Sequence, residues 1–596
     1  MSGAPRASSG PLSEAQQDRW LALYWREHGG QERIRTVQWP LDPPVPVAVV
    51  TSAIAELVAR HEILRTSFAL GPDGQPMQTV HNPAEFRLPV VIGSAEPPLG
   101  GPISRTPLWS VALLVDDELV TAVHLRYKHI VTDAGGLREW RSQLLDLCRG
   151  VDVPMPSRQP LDRVAAQARS GTRDDPARHV PQFLLPVGDG TFTELATTVR
   201  LAGATGVADA VCREARVSRP ALLLFAVAWF LGRYARQDRV LFADIVAPNR
   251  ATDHGIDCQL TEIPVLVELD PLAGFAQALG NVQAATVRAV WDDLRGAVPS
   301  RELRAATIAR RCVGGVSPVW FNFLTHPYPK DLPPVTLGPD ARAAVRTDPS
   351  AVLGDPLAPL VEAHVAGTDL YVHLTADTRM LPEAAACSFG RLATRLLETM
   401  AADVSSPVAT ADALLPPAFG TRADTVTVGV DRVHLATLTA VLTAAPGIRR
   451  ASATVEDDVV VARVQPEPSW AAFEWFDVHE HVLTQLHGHR DITAPRRYLR
   501  FGAGEEPDTG WEPDRHRPVL PPTTAAEHTL CAAIESTHGH DVTDVALTYT
   551  EAGGTLLRAP AVVEQCRRDG ITGLRQEHFT SPFTLRAMAR IGALPT

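Results

Sequence analysis

The stretch His124-Leu125-Arg126-Tyr127-Lys128-His129-Ile130-Val131-Thr132-Asp133-Ala134-Gly135-Gly136-Leu137 decides how this chain is read. Its first half predicts a strand ending near His129, and its second a helix starting near Gly135, with Leu137, Trp140, Leu144 and Leu145 along the apolar side. Strand alternation puts Leu125, Tyr127 and His129 on one face and Arg126 and Lys128 on the other. A histidine at a strand end, beside the positive end of a helix, suits acid–base work. Its proton affinity lies near working pH, and backbone N–H groups at the helix start can stabilise an oxyanion. Asp133, four residues on, can orient the loop through an ion pair. By spacing alone, the pair fits a buried histidine capped by a loop carboxylate better than a catalytic one.

Outward from this stretch, Trp109–Val115 and Leu119–Ile130 read as two strands joined by the acidic turn Asp116-Asp117-Glu118. Residues 151–190, rich in Pro, Arg and Asp, read as a crossover loop. Ala221–Tyr234 is a continuous apolar helix, followed by strands at Val240–Val246 and Ile263–Leu269. Pro407–Pro417 reads as a linker. Beyond it, strands Thr425–Val430 and Val459–Val464 surround a helix at His434–Ala444 whose stop is Pro446-Gly447. Arg515–Pro522 is a second Pro-rich linker, and 523–592 reads as a small helical domain.

Composition narrows the function. The 596 residues exceed a single domain, and with 45% hydrophobic and 21% charged residues the chain is globular. A net charge of −12 argues against a nucleic-acid partner. No apolar run approaches membrane-spanning length, and the first residues lack a signal core, so neither membrane nor export is expected. The seven cysteines are scattered without a Cys-x-x-Cys pair, pointing to a reduced, cytoplasmic protein with no zinc site. Lysine occurs only as Lys128 and Lys330, and there is no P-loop, G-x-S-x-G elbow or H-E-x-x-H.

Tyr127–Gly135 resembles the His-His-x-x-x-Asp-Gly motif of the condensation domains of nonribosomal peptide synthetases. The likeness extends to an ordered series. Leu12–Trp20 is similar to the family's opening S-x-A-Q motif, and Arg60-His61-Glu62-Ile63-Leu64-Arg65-Thr66-Ser67-Phe68 to its R-H-E-x-L-R-T-x-F. Ile256–Pro264 stands where the family has I-G-x-F-V-N-T-L-P, and Phe321-Asn322-Phe323 resembles its F-N-Y segment. The resemblance implies an α/β fold of two chloramphenicol-acetyltransferase-like lobes in a V-shaped pseudo-dimer, residues 11–185 and 186–410, after a flexible tail at 1–10. It implies His129 as the catalytic residue, with Asp133 structural and paired to an arginine, for which Arg65 and Arg250 are candidates. Lys128 replaces the first motif histidine and Ala134 the first motif glycine, with Gly135 and Gly136 beside it to restore space. Lys128 reads as a structural substitution, or as a group that binds a substrate carboxylate or lowers the proton affinity of His129.

Two further likenesses follow. Residues 425–515 resemble the small C-terminal subdomain of an adenylation domain, with Trp511 where its catalytic lysine would stand. Residues 523–592 resemble a peptidyl carrier, with Leu556 in place of the serine that takes phosphopantetheine. Without that hydroxyl no phosphodiester can form, so phosphopantetheine is expected only on partner carrier proteins, with no cofactor bound covalently here. Of His479, His481, His487 and His489, the first three do not share one helical face, and the cluster reads as a solvated polar surface rather than a metal site. The expected function is condensation of a carrier-bound acyl or peptidyl thioester with an amine or alcohol, either on a carrier or as a free small molecule. The alternative is a noncatalytic platform that recruits assembly-line or tailoring partners.

Overall fold

The computed structural model describes residues 8–28, 34–93, 97, 99, 101–167, 194–247, 253–294, 300–313, 319–324, 343–346, 359–416, 425–467, 474–501 and 507–593, apart from 379, 430 and 490. The first body contains strands β1 (Ser8–Pro11), β2 (Arg35–Pro46), β3 (Thr66–Leu70), β4 (Pro76–Val80), β5 (Val90–Ile92), β6 (Trp109–Asp116) and β7 (Leu119–Tyr127). Helices α1 (Glu14–His28), α2 (Val47–Arg60), α3 (Ala134–Cys148) and α4 (Pro160–Gln167) lie between and after them. Among the described residues the strands form one sheet in the order β2-β7-β6-β5 and a smaller one in the order β1-β4-β3. The tight β6–β7 hairpin turns through Asp117 and Glu118, both at positive φ (45° and 66°). Trp20, Trp39, Trp109 and Trp140 fill the core, and the Trp109 indole N–H donates to the Leu64 carbonyl at 2.7 Å.

The second body is a seven-stranded sheet, ordered β10-β9-β11-β13-β14-β8-β12. Its strands are β8 (Glu194–Leu201), β9 (Arg239–Val246), β10 (Thr261–Glu268), β11 (Val319–Leu324), β12 (Ala343–Arg346), β13 (Leu360–Ala366) and β14 (Asp369–Asp377). Helices α5 (Ala204–Ala215), α6 (Arg219–Ala235), α7 (Phe275–Leu294) and α9 (Glu383–Ala402) cover one face, while α8 (Ser300–Arg311) reaches the other through Leu241, Ile308 and Val313. In α6 every residue from Ala221 to Gly232 is buried, which is why its sequence carries no polar stripe. No single helix among the described residues is long and apolar enough to cross a membrane.

The rest of the chain adds two smaller pieces. Strands β15 (Thr425–Val428) and β16 (Asp431–His434) pair as a hairpin; β17 (Ile448–Glu456), β18 (Val459–Pro466), β19 (Arg497–Phe501) and β20 (Pro507–Trp511) form a second sheet. Helices α10 (Leu435–Thr443) and α11 (Trp475–Gln485) pack on it, and α12 (Pro513–His516) ends the piece. The last piece holds α13 (Ala525–His538), α14 (Ala559–Arg568), α15 (Gln576–Thr580) and α16 (Leu585–Gly592) around one apolar core.

Several expectations change. Ser8–Gly10, expected in a tail, run as β1 against β4. The predicted linker at Pro407–Pro417 contains a 3-10 turn, Val408–Leu414, whose Val408 and Ala411 are buried against the second body. Most of the predicted crossover loop, residues 168–190, falls outside the described residues.

Candidate functional site

Strand β7 ends at Tyr127, two residues short of His129. The strand alternation expected for Lys128 and His129 therefore does not apply to either. Lys128 is fully buried, its ammonium paired with the Glu27 carboxylate of α1 and donating to the Gly101 carbonyl at 2.6 Å. His129 remains partly exposed.

The imidazole is held by its own turn. Its Nδ1 lies 2.8 Å from the Thr132 carbonyl oxygen, so Nδ1–H donates and Nε2 presents its lone pair. Burial, then the positive charges of Arg35 and Arg19, hold the group well below the ordinary imidazole range. His129 is neutral at physiological pH, the state a proton acceptor requires. The sequence pointed to Lys128 as a possible source of positive potential on this ring. Arg35 and Arg19 supply it instead. Neither position carries a signal in the chain, because β2 and α1 are brought to the site only by tertiary pairing.

Asp133 is the N-cap of α3. One carboxylate oxygen accepts from the Gly136 N–H at 2.8 Å, and the other from the Gln259 N–H at 2.8 Å. It thus joins the turn that carries His129 to the segment leading into β10. The expected partner Arg65 does not reach it: Arg65 is buried with Glu62 3.9 Å away. Its short 3-10 turn, Glu62–Arg65, directs the guanidinium to its own neighbour. Arg250 lies outside the described residues. The capping also commits the Gly136 N–H, one of the amides expected to serve an oxyanion.

Close packing explains the glycine at 136. A Cβ there would collide with the Ile256 carbonyl oxygen and the Thr132 hydroxyl, and would lie 2.9 Å from the Ile256 carbonyl carbon. Ile256 itself is buried in the core of the first body, and the Gln143 amide donates to the His254 carbonyl at 2.9 Å. Ala134 and Gly135 open α3 between Asp133 and this contact.

The other singled-out positions lie apart from His129. Trp511 is buried, its indole N–H donating to the His516 carbonyl at 3.2 Å and its ring 5.5 Å from those of Tyr498 and His479. It plugs a core. Leu556 is 8% exposed and its N–H donates to Glu302 of α8 at 3.4 Å. A buried leucine offers no hydroxyl for phosphopantetheine, so the group does not fit this position. His479, expected on a solvated surface, is buried, and its Nδ1 lies 2.9 Å from the Tyr498 hydroxyl. Among the described residues no group of His, Cys, Asp and Glu is arranged to hold a metal ion.

No family model matches the chain. Over 86 residues it is 38% identical to a probable non-canonical nonribosomal peptide synthetase, CymA, of Salinispora arenicola, which is 14% of this chain and 1% of that protein. Over 149 residues it is 28% identical to a plipastatin synthase polypeptide of Bacillus subtilis, 24% of this chain and 4% of that one. The matched stretches therefore span only a small part of these much longer relatives. Among solved structures, the condensation domain of the monacolin K polyketide synthase MokA aligns over 68% of this chain and all of its own, with a TM-score of 0.50 at 13% identity. A structure concerning condensation domain-mediated chain release from the enacyloxin polyketide synthase aligns over 68% of this chain and 86% of its own, with a TM-score of 0.50 at 16% identity. The α/β bodies with their several sheets and these structural neighbours agree, and the chain has the fold of the condensation domains of nonribosomal peptide and polyketide synthases.

Proposed function

We propose that this chain is a condensation enzyme of nonribosomal natural-product assembly, joining a carrier-bound acyl or peptidyl thioester to an amine, or in a variant of the same chemistry an alcohol. The observation that carries the reading is His129: a neutral, partly exposed imidazole whose Nδ1 is committed to Thr132, leaving Nε2 to accept a proton. The nucleophile attacks the thioester carbonyl, His129 Nε2 takes its proton, the C–N bond forms and the C–S bond breaks. The departing thiolate then takes the proton back. Asp133, through Gly136 and Gln259, keeps the turn fixed so that little reorganisation is needed.

Residues 11–185 and 186–410 are proposed as the two catalytic lobes, with 425–515 an adenylation-subdomain remnant and 523–592 a carrier remnant. Loaded carriers must then come from partner proteins. Treatment with a phosphopantetheinyl transferase should leave the intact mass unchanged; an added arm would end the claim that the carrier is inert.

The decisive experiment offers acyl-loaded carriers with free and carrier-bound amines to the wild type and to His129→Ala, and detects product by mass spectrometry. Product from the wild type alone, with the variant folded, supports condensation. Equal product from both removes His129 from the chemistry. Absence of product, together with binding of partner proteins, would make the chain a platform.

A further inference from the structure

Positive charge gathers beside His129. Arg35 opens β2 and is the register partner of Tyr127, two residues before His129. Arg19 of α1 is 4% exposed and is hydrogen-bonded to Cys258, next to the Gln259 whose N–H reaches Asp133. Both charges act on His129, and both also act on Arg26, so three guanidinium groups share the region.

The anions nearby are otherwise engaged. Glu27 is paired with Lys128, and Asp18 with Arg301. Glu262 lies 3.9 Å from Arg19 and equally 3.9 Å from Arg304. Burial and the neighbouring Asp18 push its carboxyl up to about 7, so it only partly balances them. Among the described residues Arg35 forms no ion pair with a carboxylate, and the Nε atoms of Arg35 and Arg19 are buried without a hydrogen-bond partner. Arg19 is buried and Arg35 half-buried; guanidinium nitrogens held out of water short of acceptors are costly in a structure with nothing to bind, and match a carboxylate in charge and geometry.

We propose that Arg35 and Arg19 form a carboxylate-binding subsite beside His129, so that the acceptor is a soluble amine bearing its own free carboxylate, such as an amino acid. A carrier-tethered amino acid has spent that carboxylate in its thioester and presents no anion there. The inert Leu556 position is consistent with an acceptor that arrives untethered. This assignment rests on the condensation reading for its chemistry but not for its binding.

The test has two arms on the full chain. Ligand-observed saturation-transfer NMR compares free amino acids with their carboxamides, in the wild type, Arg35→Gln, Arg35→Lys and His129→Ala. Acids should bind at least about tenfold better than amides, Arg35→Gln should erase the difference, and Arg35→Lys and His129→Ala should keep much of it. Circular dichroism checks that each variant is folded, and the wild-type comparison of acids with amides carries the test if Arg35→Gln is not. In the coupling arm, Arg35→Gln should raise KM for acid acceptors about 10- to 100-fold with kcat little changed. Acids that bind no better than amides overturn the subsite, whatever the coupling arm gives. Selective binding of acids without product from any donor keeps the subsite and removes the condensation reading. Preference for a succinyl-loaded over a butyryl-loaded carrier, with no acid–amide preference among acceptors, assigns the carboxylate to the donor and overturns the acceptor proposal.

Discussion

His129 and Thr132 are joined within one turn, the imidazole Nδ1 lying 2.8 Å from the carbonyl oxygen three residues on. This contact fixes the tautomer, while burial and two arginine charges keep the ring neutral. Coupling activity should therefore stay level as pH falls through 6.5, where an ordinary histidine would already be half protonated, and decline only at a more acidic value. A profile of kcat/KM against pH checks this. Stability moves in the same direction. Below 6.5 the unfolded chain takes the proton and the folded chain does not, so stability falls with pH until the native value is reached.

Lys128 and Glu27 should behave as a unit. Lys128→Met leaves a half-buried carboxylate without its ammonium and should cost about 3 kcal/mol in urea unfolding. The double variant Lys128→Met with Glu27→Leu should recover most of that loss, because both desolvated charges are removed together.

The two small residues at the start of α3 should respond to very different extents. Gly136→Ala drives a methyl group into the Ile256 carbonyl and should cost about 1–3 kcal/mol or more, with faster proteolysis of residues 253–260. Ala134→Gly adds only backbone freedom at the helix end and should cost at most about 1 kcal/mol. Urea midpoints and limited proteolysis of the two variants check the contrast.

His479 predicts a separate acid weakness. Burial lowers its proton affinity to about 3, with Arg496 and Arg517 adding to the effect. Between 6.5 and 3 the unfolded chain binds a proton that the folded chain refuses, so stability drops as pH falls through that window. From pH 7 to pH 5 the loss should be about 2 kcal/mol. His479→Gln should show a flatter pH dependence by that amount, read as the difference between the two unfolding series.

Local patterns were legible wherever one element explains itself. The β6–β7 hairpin, the apolar α6 and the start of α3 emerge within a few residues of their predicted ends, because period and turn chemistry are local. The His129 turn was legible through its spacing, and the two-lobed α/β fold through the ordered series of family-like segments. The partners were not. Gln259 meets Asp133 across 126 residues, and Arg35 arrives on β2, whose Pro40, Pro43, Pro44 and Pro46 argue against a strand. That strand is tolerated because it lies at the edge of its sheet and changes register between Pro40 and Val45. His479 was misplaced for a related reason: its burial depends on Tyr498 and Trp511, which close over α11 from a strand pair beyond it.

Helix α8 touches every other piece of the molecule. Arg301 pairs with Asp18 and donates to Gln17 at 2.6 Å; Arg304 faces Glu262; Glu302 accepts the Leu556 N–H. At its far end Arg311 pairs with Asp431, and the Cys312 carbonyl accepts the Ala494 N–H at 2.9 Å. The contacts are spread along the helix and leave more than one of its faces, so they depend on one angular register. Deleting a single residue inside α8 turns everything on one side of the gap by about 100° relative to the other. A segment that carries none of the proposed chemistry is thereby held to its length, and inheritance should preserve its residue count even where its side chains drift.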